Sequence, residues 1–212
     1  MVNGLSRRGA IIRGSCLAAS GFLLPDLATL AGFGKSADAA IRLPNASSSW
    51  RENLPLAAPP FHFMNSGGKI LSLAHYLGTG LVVNFWATWC APCRAELPTL
   101  VALNKRLHGS DIRVLLISID TGGMKTVAPF YRQHNIKGLP ILLDPSSSAL
   151  DAFQTPGIPF TVIVNRDGDV VASLLGAGDW DTTATEVALH RLIGAPNRAR
   201  HAKPTSSAPA PA

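Results

Sequence analysis

Leu81-Val82-Val83-Asn84-Phe85-Trp86-Ala87-Thr88-Trp89-Cys90-Ala91-Pro92-Cys93-Arg94-Ala95-Glu96-Leu97 is the stretch from which the fold can be read. Residues 81–86 form an unbroken β-branched and aromatic run, the pattern of a strand buried on both faces in the middle of a sheet. Two cysteines follow it directly. Beyond them Leu97, Leu100, Val101, Leu103, Asn104 and Leu107 fall on one helical face, while Arg94, Lys105 and Arg106 point elsewhere. A helix therefore begins at the cysteine pair, and Gly109 ends it.

Downstream, Ile112 to Ile119 reads as the next buried strand, Met124 to His134 as a helix, Ile141 to Asp144 as a short strand and Ser146 to Phe153 as a short helix. Strands alternating with helices predict an α/β fold with a parallel sheet core. Phe160 to Val164 and Val170 to Leu174 flank Asn165-Arg166-Asp167-Gly168, a hairpin turn whose Asp-Gly pair suits positive φ. Thr182 to Ile193 supplies a closing helix that Asp181 or Thr182 can cap. Upstream, a strand from Phe61, a turn at Asn65-Ser66-Gly67-Gly68 and a strand from Lys69 and Ile70 predict a second hairpin. Residues 61–194 thus read as one domain. Ala40 to Pro60, with its Ser run and Pro59-Pro60, reads as a linker that lies extended over the domain. Residues 195–212, rich in Pro, Ala and Ser, read as a tail too poor in apolar surface to fold.

Residues 1–39 are expected to be an export signal: a basic start, an apolar stretch broken by Pro25 and Asp26, and Ala37-Asp38-Ala39 as a small-x-small cleavage site, with cleavage after Ala39. Ser15 to Leu24 falls short of the ~20 apolar residues that span a bilayer, so an uncleaved anchor is disfavoured. Ser6-Arg7-Arg8-Gly9 resembles a twin-arginine signal, although Ala10 and Ile11 replace the usual Phe-Leu pair; an ordinary secretory leader is the other route. Cys16 leaves with this segment, so the mature chain carries Cys90 and Cys93 into a compartment, the periplasm, where disulfides persist. The formal charge of +6 lies mostly at the ends: Arg7, Arg8, Arg13 and Lys35 against Asp26 and Asp38, then Arg198, Arg200 and Lys203. A near-neutral body has no clustered phosphate-binding surface, which excludes nucleic acid as a partner.

A Cys-x-x-Cys pair after a buried strand and at a helix start has a chemical use. Unpaired backbone N–H groups and the helix dipole favour a thiolate there, so Cys90 is the predicted nucleophile. Cys93, one turn on and more buried, is placed to resolve the mixed disulfide, and Pro92 suits the first helical turn. Two other readings stand beside this one. A zinc clip needs four ligands, but the chain has no second Cys-x-x-Cys, and His62, His75, His108, His134, His190 and His201 show no ligand spacing. A purely structural bridge would close too small a loop to stabilise much. Neither a metal nor another cofactor is expected.

Val83 to Pro98, with Trp89-Cys90-Ala91-Pro92-Cys93 at its centre, resembles the signature of the TlpA- and ResA-like branch of the thioredoxin superfamily. Gly157-Ile158-Pro159-Phe160-Thr161 is similar to that superfamily's cis-proline loop. The resemblance covers about Phe61 to Gly194. It implies a thioredoxin-like three-layer fold whose mixed central sheet carries an N-terminal hairpin and an inserted strand-helix unit near Pro140 to Thr155. The implied activity is exported thiol-disulfide exchange of the cytochrome c or cytochrome oxidase biogenesis type. Asn84 stands where ordinary thioredoxins carry a buried Asp, and Glu96, at i+3 from Cys93, is expected to take over its proton handling. Pro159, in cis, would leave Ile158 free to pair with an extended client segment, while Trp89, Ala91, Pro92 and Ile158 form the client-facing rim. The expected partners are disulfide-containing exported proteins and a membrane thiol donor, met by a monomer. The alternative function is copper handling for respiratory-chain assembly, which would favour a Cys-x₃-Cys pair with a distal His.

Overall fold

The computed structural model describes residues 45–194; the expected leader, its cleavage site and the expected tail lie outside them. The elements are α1 (Ala46–Ser49), β1 (Arg51–Ala57), β2 (Phe63–Asn65), β3 (Ile70–Leu71), β4 (Gly80–Trp86), α2 (Ala91–Arg106), β5 (Ile112–Ser118), α3 (Met124–Gln133), β6 (Leu142–Leu143), α4 (Ser148–Ala152), β7 (Phe160–Val164), β8 (Asp169–Leu175) and α5 (Thr183–Ile193). All eight strands join one sheet in the order β1-β8-β7-β4-β5-β6-β2-β3. β4, β5 and β6 run parallel, and the remaining pairings are antiparallel.

β4 is buried at every position, as its continuous apolar run requires. Its alternate side chains feed two separate cores. Val82 and Trp86 meet Leu97, Leu100 and Leu103 of α2, Val127 and Phe130 of α3, and Leu189 and Ile193 of α5. Leu81, Val83 and Phe85 face the other way, against Phe61, Phe63 and Ala149 of α4. Helices on both faces of a mixed sheet give the three layers expected. The β2–β3 hairpin forms where it is predicted, and β6 and α4 occupy the region expected to hold the inserted unit.

The described part of the stretch 40–60, residues 45–60, is more than the extended linker read from the sequence. Within it Arg51–Ala57 is the outermost strand, antiparallel to β8 with a register shift between Glu52 and Leu56. The side chains of 51–53 and 55–57 are exposed, and the strand is held by main-chain pairing with β8 and by the surface pairing of Glu52 with Arg191 rather than by an alternation of buried apolar side chains at these positions. Pro55 is tolerated because the strand lies at an edge. Trp50 anchors its start, its ring 6.2 Å from that of Trp180.

At the end of the sheet where β4 and β5 begin, the buried Arg166 ties three segments together. Its guanidinium donates twice to Asp111 at 2.8 and 2.7 Å and also reaches the carbonyls of Ile193 and Gly194 at the close of α5. That bidentate pairing holds the Asp111 carboxyl below its ordinary pKa.

Candidate active site

Cys90 follows β4 after a three-residue turn and caps α2 in an extended conformation. Its sulfur receives the backbone N–H of Cys93 at 3.3 Å and is bonded to the Cys93 sulfur, with the two Cα atoms 5.3 Å apart. The pair is unequal in access: Cys90 retains 5% exposure and Cys93 none. Any partner must therefore meet Cys90 first. Trp89, 67% exposed, stands beside it, with Ala91 and Pro92 at the surface. From the loop just before β7, the Ile158 carbonyl lies 4.0 Å from the Cys90 sulfur, and Ile158–Pro159 is cis. Among the residues singled out in the sequence, the structure thus brings Trp89, Cys90, Ala91, Pro92, Cys93, Ile158 and Pro159 to one end of the sheet.

Glu96 lies beneath this surface with no exposure at all. One carboxylate oxygen, Oε2, accepts from the Gly178 backbone N–H at 3.0 Å and from the Trp180 indole N–H at 3.1 Å. The other, Oε1, accepts from Asn84 Nδ2 at 2.8 Å, and the same amide group donates to Thr161 Oγ1 at 2.9 Å. Burial pushes the Glu96 pKa up to about 7, against the pull of those three donors. A carboxyl that titrates near neutrality can both take and give a proton under working conditions.

Two parts of the site have no local sequence signal. Gly178 and Trp180 lie more than 80 positions from Glu96 and meet it through the turn between β8 and α5. Asp120, just past β5, is buried and accepts from the Thr88 backbone N–H at 2.9 Å, the Thr88 hydroxyl at 2.7 Å and the Ser118 hydroxyl at 2.7 Å. It thereby pins the turn that carries Trp89 into Cys90. An acid at the carboxyl end of a predicted central strand was the one hint available. No group of three or more His, Cys, Asp or Glu among the described residues is arranged to hold a metal ion. No helix among them is long and apolar enough to cross a membrane.

A disulfide at a helix start, one cysteine slightly exposed and its partner fully buried, on a mixed sheet covered by helices, defines a thiol-disulfide oxidoreductase with a thioredoxin-like fold. The chain is 31% identical over 134 residues to the thiol-disulfide oxidoreductase ResA of Bacillus subtilis, covering 63% of this chain and 70% of that protein. Among solved structures, the exposed lipoprotein thioredoxin of Streptococcus pneumoniae superposes with a TM-score of 0.54 at 28% identity, over 63% of this chain and 99% of that one. A thioredoxin-family thiol:disulfide interchange protein of Chlorobium tepidum gives 0.53 at 26% identity, over 66% and 99%. The chain belongs to the AhpC/TSA family, which it matches over residues 56–173.

Proposed function

We propose that this oxidoreductase works in the periplasm as a reductase of disulfides in exported partner proteins, of the kind needed in cytochrome c or cytochrome oxidase assembly. The observation that carries this reading is the graded access of the dithiol, with Cys90 slightly exposed on a helix N-terminus, Cys93 fully covered, and a near-neutral carboxyl one turn further on.

In the reduced protein the backbone N–H groups of the first turn stabilise a Cys90 thiolate. That thiolate attacks one sulfur of a client disulfide; the client S–S bond breaks, a mixed disulfide forms, and the first client thiolate departs and is protonated. Glu96, ionised, takes the proton of the Cys93 thiol, and the Cys93 thiolate attacks the Cys90 sulfur. The second client thiolate leaves, the Cys90–Cys93 disulfide closes, and two electrons have passed to the client. A membrane thiol donor then restores the dithiol. Ile158 offers backbone for an extended client strand, Pro159 shapes the loop that presents it, and Trp89 with Ala91 and Pro92 supplies contact area.

Equilibrating the protein with defined thiol-disulfide buffers tests the direction. A potential near that of thioredoxin, about −270 mV, is the expected result; one near −120 mV makes the protein an oxidant and overturns the reading. Tight copper binding by the reduced protein against a competing chelator, with no client reduction, would replace it by the metal-handling alternative.

A further inference from the structure

Asn84, Glu96 and Thr161 are wholly buried, so each polar atom there must find its partner within the protein. Asn84 Oδ1 has none. The bonding around Glu96 shows what that atom is for. Oε2 faces two N–H groups, from Gly178 and Trp180, and neither can become an acceptor. A proton arriving on Glu96 must therefore sit on Oε1. That oxygen faces Asn84 Nδ2 at 2.8 Å, which is a donor too, so the present arrangement fits only the ionised carboxylate.

We propose that the Asn84 side-chain amide is a two-position partner of Glu96, donating from Nδ2 to the carboxylate and turning over to accept at Oδ1 when Glu96 carries a proton. Rotation by half a turn about the terminal side-chain torsion, which is soft for asparagine, exchanges the two atoms, putting Oδ1 where Nδ2 now lies and Nδ2 where Oδ1 stands without a partner. There it accepts from the Glu96 O–H, and the Thr161 hydroxyl, which accepts from Nδ2 at 2.9 Å, changes role and donates. An amide serves both states. A leucine would satisfy neither, and an aspartate would set a second carboxylate against the first, trapping one proton between them.

The groups acting on Glu96 are few. Burial and its three N–H donors set its titration. On its own helix its neighbour one turn back is Cys93, held in the disulfide with Cys90, β4 and β7 contribute the neutral Asn84 and Thr161, and Asp179, between Gly178 and Trp180, turns its carboxylate to the backbone N–H of Asp181. The inference rests on Glu96 handling a proton for the buried thiol, and it makes Asn84 the positioning residue that keeps both states of Glu96 hydrogen-bonded. Because Asn84, Glu96 and Thr161 belong to β4, α2 and β7, the turnover links the three elements that frame the dithiol.

The test is side-chain amide NMR of Asn84 in the full-length protein from about pH 4.5 to 9, followed beside the carboxyl carbon of Glu96. The two Asn84 amide protons are expected to shift with the same midpoint as Glu96. In Glu96→Gln, whose own amide mimics the protonated acid, they should be independent of pH and match the wild-type acid limit. Asn84→Asp should raise the Glu96 midpoint by about one unit or more. Asn84 signals that stay still while Glu96 titrates, a Glu96→Gln spectrum matching the alkaline limit, or a Glu96 with no step in that range would each overturn the proposal. These readouts need no client, so a protein that shows the amide turnover yet reduces no disulfide would sink the proposed function and leave this inference standing.

Discussion

Glu96→Gln exchanges a buried carboxyl for an amide of nearly the same shape, and its expected consequence is a change in how stability follows pH. The Glu96 pKa is 4.5 in the unfolded reference and about 7 in the folded protein, raised chiefly by burial. Between those values the folded chain holds a proton that the unfolded chain has released, so the protonated Glu96 favours folding in acid and that advantage is lost as pH rises. One pKa unit corresponds to about 1.4 kcal/mol, so wild type should lose roughly 3 kcal/mol relative to the variant between about pH 4.5 and 7, then run parallel to it. Urea unfolding of both oxidised proteins at a series of pH values, followed by far-ultraviolet circular dichroism, gives the difference curve directly. Other titrating groups, Asp111 and Glu52 among them, are common to both proteins and cancel. A difference that stays constant over that range, or that favours wild type as pH rises, refutes the burial account of Glu96.

Gly178→Ala should cost about 1–3 kcal/mol in urea unfolding, since its Cβ would stand 2.9 Å from Ala46 Cβ and 3.0 Å from Ala46 Cα and push the turn off Glu96. Asp120→Ala strips the Thr88 backbone N–H and two hydroxyls of their acceptor; a loss of roughly 1–3 kcal/mol is expected, with freer motion of Trp89 in fluorescence anisotropy. Trp89→Ala should leave stability within about 0.5 kcal/mol, because the ring is largely solvated, yet weaken client encounter by about 1 kcal/mol or more, read as a raised KM for a protein disulfide.

The strand-then-dithiol-then-helix order was legible because each piece obeys a local rule: five apolar, mostly β-prone residues interrupted once by Asn84, a cysteine pair at a helix start, and one-faced leucines beyond. The Asn165 to Gly168 turn and the Thr182 cap were readable for the same reason, the cap now visible as Thr182 Oγ1 accepting from the Thr185 N–H at 3.0 Å. Glu96 was legible as a position one turn from Cys93 but not as a buried one, since burial comes from the turn at Gly178 and Trp180, which no spacing links to it. Asp120 escaped because its partner, Thr88, is chosen by the parallel register of β4 on β5. The strand Arg51–Ala57 escaped because an edge strand can be held by main-chain bonds alone, whatever its side chains.

Arg166 bolts the close of α5 to the end of the sheet from which β4 departs, and the two sulfurs stand at the far end of that strand, about 20 Å away by the rise of its seven residues. The two poles therefore divide labour between mooring and exchange. A label, a surface tether or a second domain attached after Gly194 starts from the moored pole, leaving the opposite one clear for a client to approach.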